Sequence, residues 1–114
     1  MTTVTAEAAE GIAGWIEMAL RTVIDPELGY NIVDLGLVYS VAVADDGDVR
    51  IIMTTTTRGC PATEYLKDGA SSAAWSVPGV EAVTIALTYD PPWSTQLMTR
   101  EAKAHLGISD GATR

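Results

Sequence analysis

Cys60 is the sole cysteine of this 114-residue chain, and it directly precedes Pro61. Proline suits the first position of a helix, because its missing N–H is not needed there and its fixed φ already matches the helix. Cys60 is therefore expected at a helix N-terminus. Unpaired N–H groups and the positive end of the macrodipole at such a place stabilise a thiolate and lower the thiol pKa. A thiolate binds metal or attacks an electrophile; the competing reading is a small buried hydrophobe.

Carboxylates offer a second chemistry. Asp25 and Glu27 flank Pro26, and Asp34 follows further along the same segment. They read either as hard oxygen ligands and charges that tune the cysteine, or as caps for backbone N–H groups in a turn. The stiff run Asp90-Pro91-Pro92-Trp93 either plugs a sheet edge with its indole or presents it as a contact surface. His105, the only histidine, lies among alanine, lysine and leucine and reads as a surface residue. It is also the only imidazole that a cysteine-histidine pair within the chain could use, and no second cysteine is present to resolve a redox intermediate. A thiol enzyme with Cys60 as nucleophile is thus the weaker alternative, and the chain is not expected to be an enzyme.

The elements that must position these residues follow from hydrophobic spacing. Ile12, Trp15, Ile16, Ala19, Leu20 and Val23 recur at three- and four-residue steps, which predicts an amphipathic helix over 5–24 that Pro26 terminates. Residues 25–34 have no clean period and read as an ordered loop. A β-branched and aromatic run over 37–43, turn formers at 45–48 and a second run from Val49 predict a hairpin, with the second strand continuing through the threonines to Thr57. A second helix is predicted from Pro61 to Val77, with Leu66, Ala70, Ala73 and Val77 as its buried stripe. A third strand follows over 80–89. Thr99 is placed to cap a short last helix ending at Gly107, and residues 109–114 read as a frayed tail. Trp15 and Trp75 are expected to pack in or near the core, and the four tyrosines are given no special role.

The order helix-strand-strand-helix-strand predicts an α+β two-layer sandwich, with the long helices on one face of a three-stranded mixed sheet and a short C-terminal helix added. The hairpin sets strand one against strand two, and a right-handed crossover sets strand three parallel to strand two. The loop before strand one, the turn with Cys60 after strand two and the segment from Asp90 to Trp93 after strand three should then share one rim.

Composition bounds the rest. The chain is the size of one domain, expected to span 1–114 with an ordered part from about 6 to 107, and 47% hydrophobic residues suffice for one core. No stretch approaches the roughly 20 apolar residues of a membrane span, and the N-terminus lacks the pattern of a secretory signal. A cytoplasmic protein without membrane association is expected. Fifteen acidic residues against seven basic give a net charge of -8, which disfavours nucleic acid as a partner.

Read together, Asp25-Pro26-Glu27-Leu28-Gly29, the run from Asn31 to Tyr39, Met53-Thr54 through Thr56 with Gly59-Cys60-Pro61, and Asp90-Pro91-Pro92-Trp93 form a set in register. That set resembles the metal-sulfur (iron-sulfur) cluster assembly family, which includes SufT-like and PaaD-like proteins. The resemblance implies a fold shared with cluster-assembly scaffold domains and a role in maturing iron-sulfur clusters or delivering them to apoproteins. It implies that Cys60 matches the signature cysteine and that Asp25 and Glu27 match the acidic loop, with Asp34, Thr56, Asp90 and Trp93 as supporting motif positions. Two departures stand out. The cysteine-rich C-terminal region usual in PaaD-like proteins is not in these residues, and Arg58 replaces a proline or small residue, adding a charge that can hold a thiolate or an anionic partner.

A cluster commonly takes four protein ligands, most often cysteine thiolates. One cysteine cannot supply them. The expectation is a transient iron-sulfur cluster or iron, with Cys60 as one labile ligand and the others from a second copy in a homodimer, an assembly protein or an apoprotein client. The alternative within the same class is an adaptor that docks these partners without holding metal.

Overall fold

The computed structural model describes residues 6–108. Its elements are α1 (Ala6–Leu20), β1 (Val38–Val43), β2 (Asp48–Met53), α2 (Thr63–Trp75), β3 (Ala82–Leu87), a 3-10 turn (Thr95–Leu97) and α3 (Arg100–Leu106). The predicted α+β order is observed, with the sheet order β1-β2-β3, β1 antiparallel and β3 parallel to the central β2. Alternation along β2 shows where the core lies. Val49, Ile51 and Met53 are buried while Arg50 and Ile52 are exposed, so one face of the sheet is covered and the other is open.

The covered face meets Ile16 and Leu20 of α1 and Leu66, Ala70 and Ala73 of α2 in a single apolar cluster. Ile32, Leu35 and Leu37 from the loop before β1 are fully buried in the same cluster, as is Ala102 of α3. Each large aliphatic side chain buried in this way contributes roughly 1.5–3 kcal/mol. The segment 25–37 is therefore tied down by its own apolar residues.

Element ends differ from the sequence-based expectation for local reasons. α1 stops at Leu20 because the N–H groups of Arg21, Thr22 and Val23 donate to carbonyls three residues back, at 3.0–3.1 Å, and tighten the chain out of α geometry. β2 ends at Met53 rather than Thr57. Thr54 makes one more bond to the Leu37 carbonyl, and the Thr55 hydroxyl then donates to the Thr57 carbonyl at 2.6 Å, closing a turn. β3 is shorter than expected at both ends. Thr99 caps α3 as predicted, its hydroxyl accepting from the Ala102 N–H, and Gly107 ends it at φ 73°. The 3-10 turn, capped by Ser94, was not anticipated from the periodicity. The expected tail at 109–114, and Thr5 at the start of the first helix, lie outside the described residues.

Two tryptophans correct the expectation of core packing: Trp15 is 63% exposed and Trp75 51%. Trp15 stands at the solvent-facing border of the α1 stripe, where three- and four-residue spacing alone does not say which flank is covered, and Trp75 lies outside the buried stripe of α2. Gly11 and Gly14 weaken α1 by roughly 1 kcal/mol each relative to alanine. A Cβ at either would meet nothing within 4 Å.

Candidate functional site

The register fixes the rim. Met53, the last residue of β2, faces Val38 at the start of β1 and Leu87 at the end of β3. Residues 21–37, 54–62 and 88–99 therefore all enter or leave the sheet at one edge. Side chains stitch them together. The Trp93 indole N–H donates to the Leu35 carbonyl at 2.8 Å, and the Tyr39 hydroxyl donates to the Pro91 carbonyl at 2.8 Å, which joins the first and third segments. The hydroxyls of Thr55 and Tyr89 lie 3.0 Å apart, and the Arg58 guanidinium sits 4.7 Å from the centre of the Tyr89 ring, which joins the second and third.

Cys60 sits in the middle segment with only 5% of its surface exposed, yet outside the contiguous apolar core. Its neighbours Arg58, Gly59 and Pro61 are exposed. Gly59 adopts φ +71°, a left-handed turn that a side chain disfavours. The cysteine is not at the helix N-terminus as expected. The Thr63 N–H and hydroxyl both donate to the Cys60 carbonyl, at 3.1 and 2.7 Å, so a separate turn precedes α2 and the helix begins three residues after the cysteine. A macrodipole acts mainly within the terminal turn, which here also carries the carboxylate of Glu64.

The acidic loop is built by its own carboxylates. Asp25 is 1% exposed, and its Oδ1 accepts from the N–H groups of Glu27 and Leu28 at 2.7 and 3.0 Å. Its backbone N–H donates to the Tyr30 carbonyl, and its own carbonyl accepts from Gly29. Asp34 accepts from the Asn31 side-chain amide at 3.2 Å and pairs with Arg21 at 3.5 Å. Asp25 thus caps the turn, whereas the Asp34 carboxylate braces the loop through Asn31 and Arg21. Glu27 and Asp90 are exposed and Thr56 is half-buried.

Trp93 packs against the core while its N–H is satisfied, so the indole plugs the sheet edge. His105 lies against Tyr30 of the acidic loop, ring centres 4.8 Å apart. Tyr39, Thr55 and Tyr89 are the stitching residues that sequence reasoning passed over. The only available signal was position: Tyr39 and Tyr89 flank strand ends that topology sends to the same edge. Among the described residues, no three of histidine, cysteine, aspartate and glutamate gather to hold a metal ion. The rim therefore offers one thiol, an ordered hydrogen-bonded frame and exposed charges at Glu27, Arg58 and Asp90.

A family model described as "Iron-sulfur cluster assembly protein" matches residues 15–87. A "Fe-S protein maturation auxiliary factor" of Porphyromonas gingivalis is 44% identical over 89 residues, which are 78% of this chain and 85% of that protein. The "Fe-S protein maturation auxiliary factor SufT" of Staphylococcus aureus is 41% identical over 87 residues, 76% of this chain and 99% of that one. In shape, the chain matches the crystal structure of a DUF59 domain from Bacillus anthracis with a TM-score of 0.85 at 37% identity, covering 92% of this chain and all of that one. No helix among the described residues is long and apolar enough to cross a membrane.

Proposed function

The chain belongs to the iron-sulfur cluster assembly protein family, and from that premise we propose that it is a non-enzymatic accessory factor in iron-sulfur protein maturation. In this reading an iron-sulfur cluster or iron is cargo, and Cys60 is one labile ligand to it. The observation that carries the reading is the single thiol in a segment tied to the two others at one rim, through Thr55 to Tyr89 and through the Thr54 N–H to the Leu37 carbonyl. One thiolate cannot complete the usual four-ligand set, so the remaining ligands come from an assembly protein, an apoprotein client or a second copy. Incomplete ligation suits a carrier, since it must release what it binds.

Around the thiol, the other residues have supporting tasks. Trp93 and Asp25 hold the rim in shape, Asp34 and Arg21 brace the loop, and Glu27, Arg58 and Asp90 are exposed to a docking partner. Arg58 is held over Tyr89 two residues from the thiol, where its charge favours an anionic cargo. A second reading, the docking adaptor that holds no metal, is favoured by the 5% exposure of Cys60.

Cluster transfer from a loaded donor protein to an apo-ferredoxin, followed by the visible circular dichroism of the ferredoxin, separates the two. Added wild-type protein is expected to accelerate transfer and Cys60→Ser to lose the acceleration. Equal acceleration by both proteins would overturn the ligand role and leave the adaptor.

A further inference from the structure

We propose that the groove between α1 and α2, on the side of the helical layer away from the sheet, docks a basic amphipathic helix of a partner protein. The two helices run antiparallel. Gly11 and Ile12 near the start of α1 face Val77 and Pro78 beyond the end of α2, whereas Thr22 just past α1 faces Tyr65 in the first turn of α2. Adjoining clefts along this line share Trp15 and Pro78, then Ser76, and so form one trough. From Gly11 to Thr22 it covers roughly 16 Å, about three turns of a helix.

The walls carry exposed apolar and aromatic side chains toward both ends, with Asp68, Ser72 and Ser76 on the α2 side. Trp15 is 63% exposed, Met18 58% and Tyr65 59%, and all three line the trough. Isolated apolar residues on a surface are ordinary, but a run of them along one trough marks an interaction site. Gly11 and Gly14 add an independent sign. They weaken α1, and since a Cβ at either position meets no heavy atom within 4 Å, nothing inside the chain requires glycine there. At Gly11, which lines the trough, the bare backbone permits close approach by a helix from outside.

Charge selects the occupant. Glu17 pairs with Arg21 and Glu64 with Lys67, but Asp68, exposed on the trough wall, makes no ion pair among the described residues. A lysine or arginine on the docking helix answers it. The net charge of -8 on every copy works against a second copy of this chain as occupant and favours a basic partner. Seated there, the helix would end beside Tyr65, close in sequence to Cys60. This deepens the proposed role in maturation by giving the partner a place to hold while cargo passes at the rim.

The probe is a synthetic amphipathic helix of leucine and lysine, titrated into the labelled full chain while backbone amide shifts are recorded, with a leucine-glutamate helix as control. Shifts confined to 11–22 and 65–78 are expected. Trp15→Glu should weaken binding about thirty-fold, in the range of an interface hot spot. Met18→Glu and Asp68→Lys should weaken it too, and the acidic helix should not bind. Unchanged circular dichroism of each variant certifies its fold. Absence of binding, shifts spread over the open sheet face around Ile52, or undiminished binding by folded Trp15→Glu would overturn the proposal. So would a dimer in sedimentation that Trp15→Glu turns into a monomer, because a second copy would then be the occupant. No iron or sulfide is present, so failure here leaves the role of Cys60 standing, and failure of that role leaves the trough.

Discussion

Asp25 exemplifies how a carboxylate on the same rim as a proposed metal ligand can serve the backbone. Its Oδ1 satisfies two N–H groups in a loop whose apolar residues are buried in the core. Asp25→Ala leaves both donors without a partner and is expected to cost about 2–4 kcal/mol of stability, read by urea unfolding. Asp25→Asn keeps an accepting oxygen and should cost only about 1 kcal/mol. A ligand role would instead make the two variants equally poor in cargo binding. The capping reading was legible in the Asp-Pro pair before a glycine turn. The tyrosine bonds were not, because Tyr39 to Pro91 and Tyr89 to Thr55 depend on strand register rather than on any neighbour in sequence.

At the level of elements, spacing located the helices and strands but not their ends. α2 begins at Thr63 because the threonine hydroxyl competes for the Cys60 carbonyl, a choice that hydrophobic period cannot register. The same blindness misplaced Trp15 and Trp75. Gly11→Ala and Gly14→Ala should each stabilise the protein by about 0.5–1 kcal/mol, seen as a higher melting temperature, since neither position has a steric need for glycine. Gly36 is the opposite case. It holds φ +81°, and a Cβ would collide with the backbone of Leu97, so Gly36→Ala should destabilise by more than about 1 kcal/mol. A neutral Gly36→Ala would mean that the contact between the loop and the 3-10 turn is loose.

Across the whole molecule, the gathering of three distant segments at one edge was legible from topology alone, given a hairpin followed by a right-handed crossover. The way they lock was not. Trp93→Phe keeps most of the edge plug but gives up the bond to the Leu35 carbonyl, and should cost about 1–2 kcal/mol in urea unfolding. Its effect on cargo should be smaller than that of Cys60→Ser, because Trp93 shapes the rim rather than ligating. The charge of -8 on each copy opposes self-association, and a shared cluster would offset that repulsion. Anaerobic reconstitution with iron and sulfide, run on a sizing column with iron content and mass measured together, asks this of the protein directly. Wild type should elute with a cluster chromophore at a mass above the monomer, and Cys60→Ser should show neither. Cys60→Ser carrying the chromophore undiminished would contradict Cys60 as the ligand, and wild type without it would exclude a second copy as the source of the other ligands.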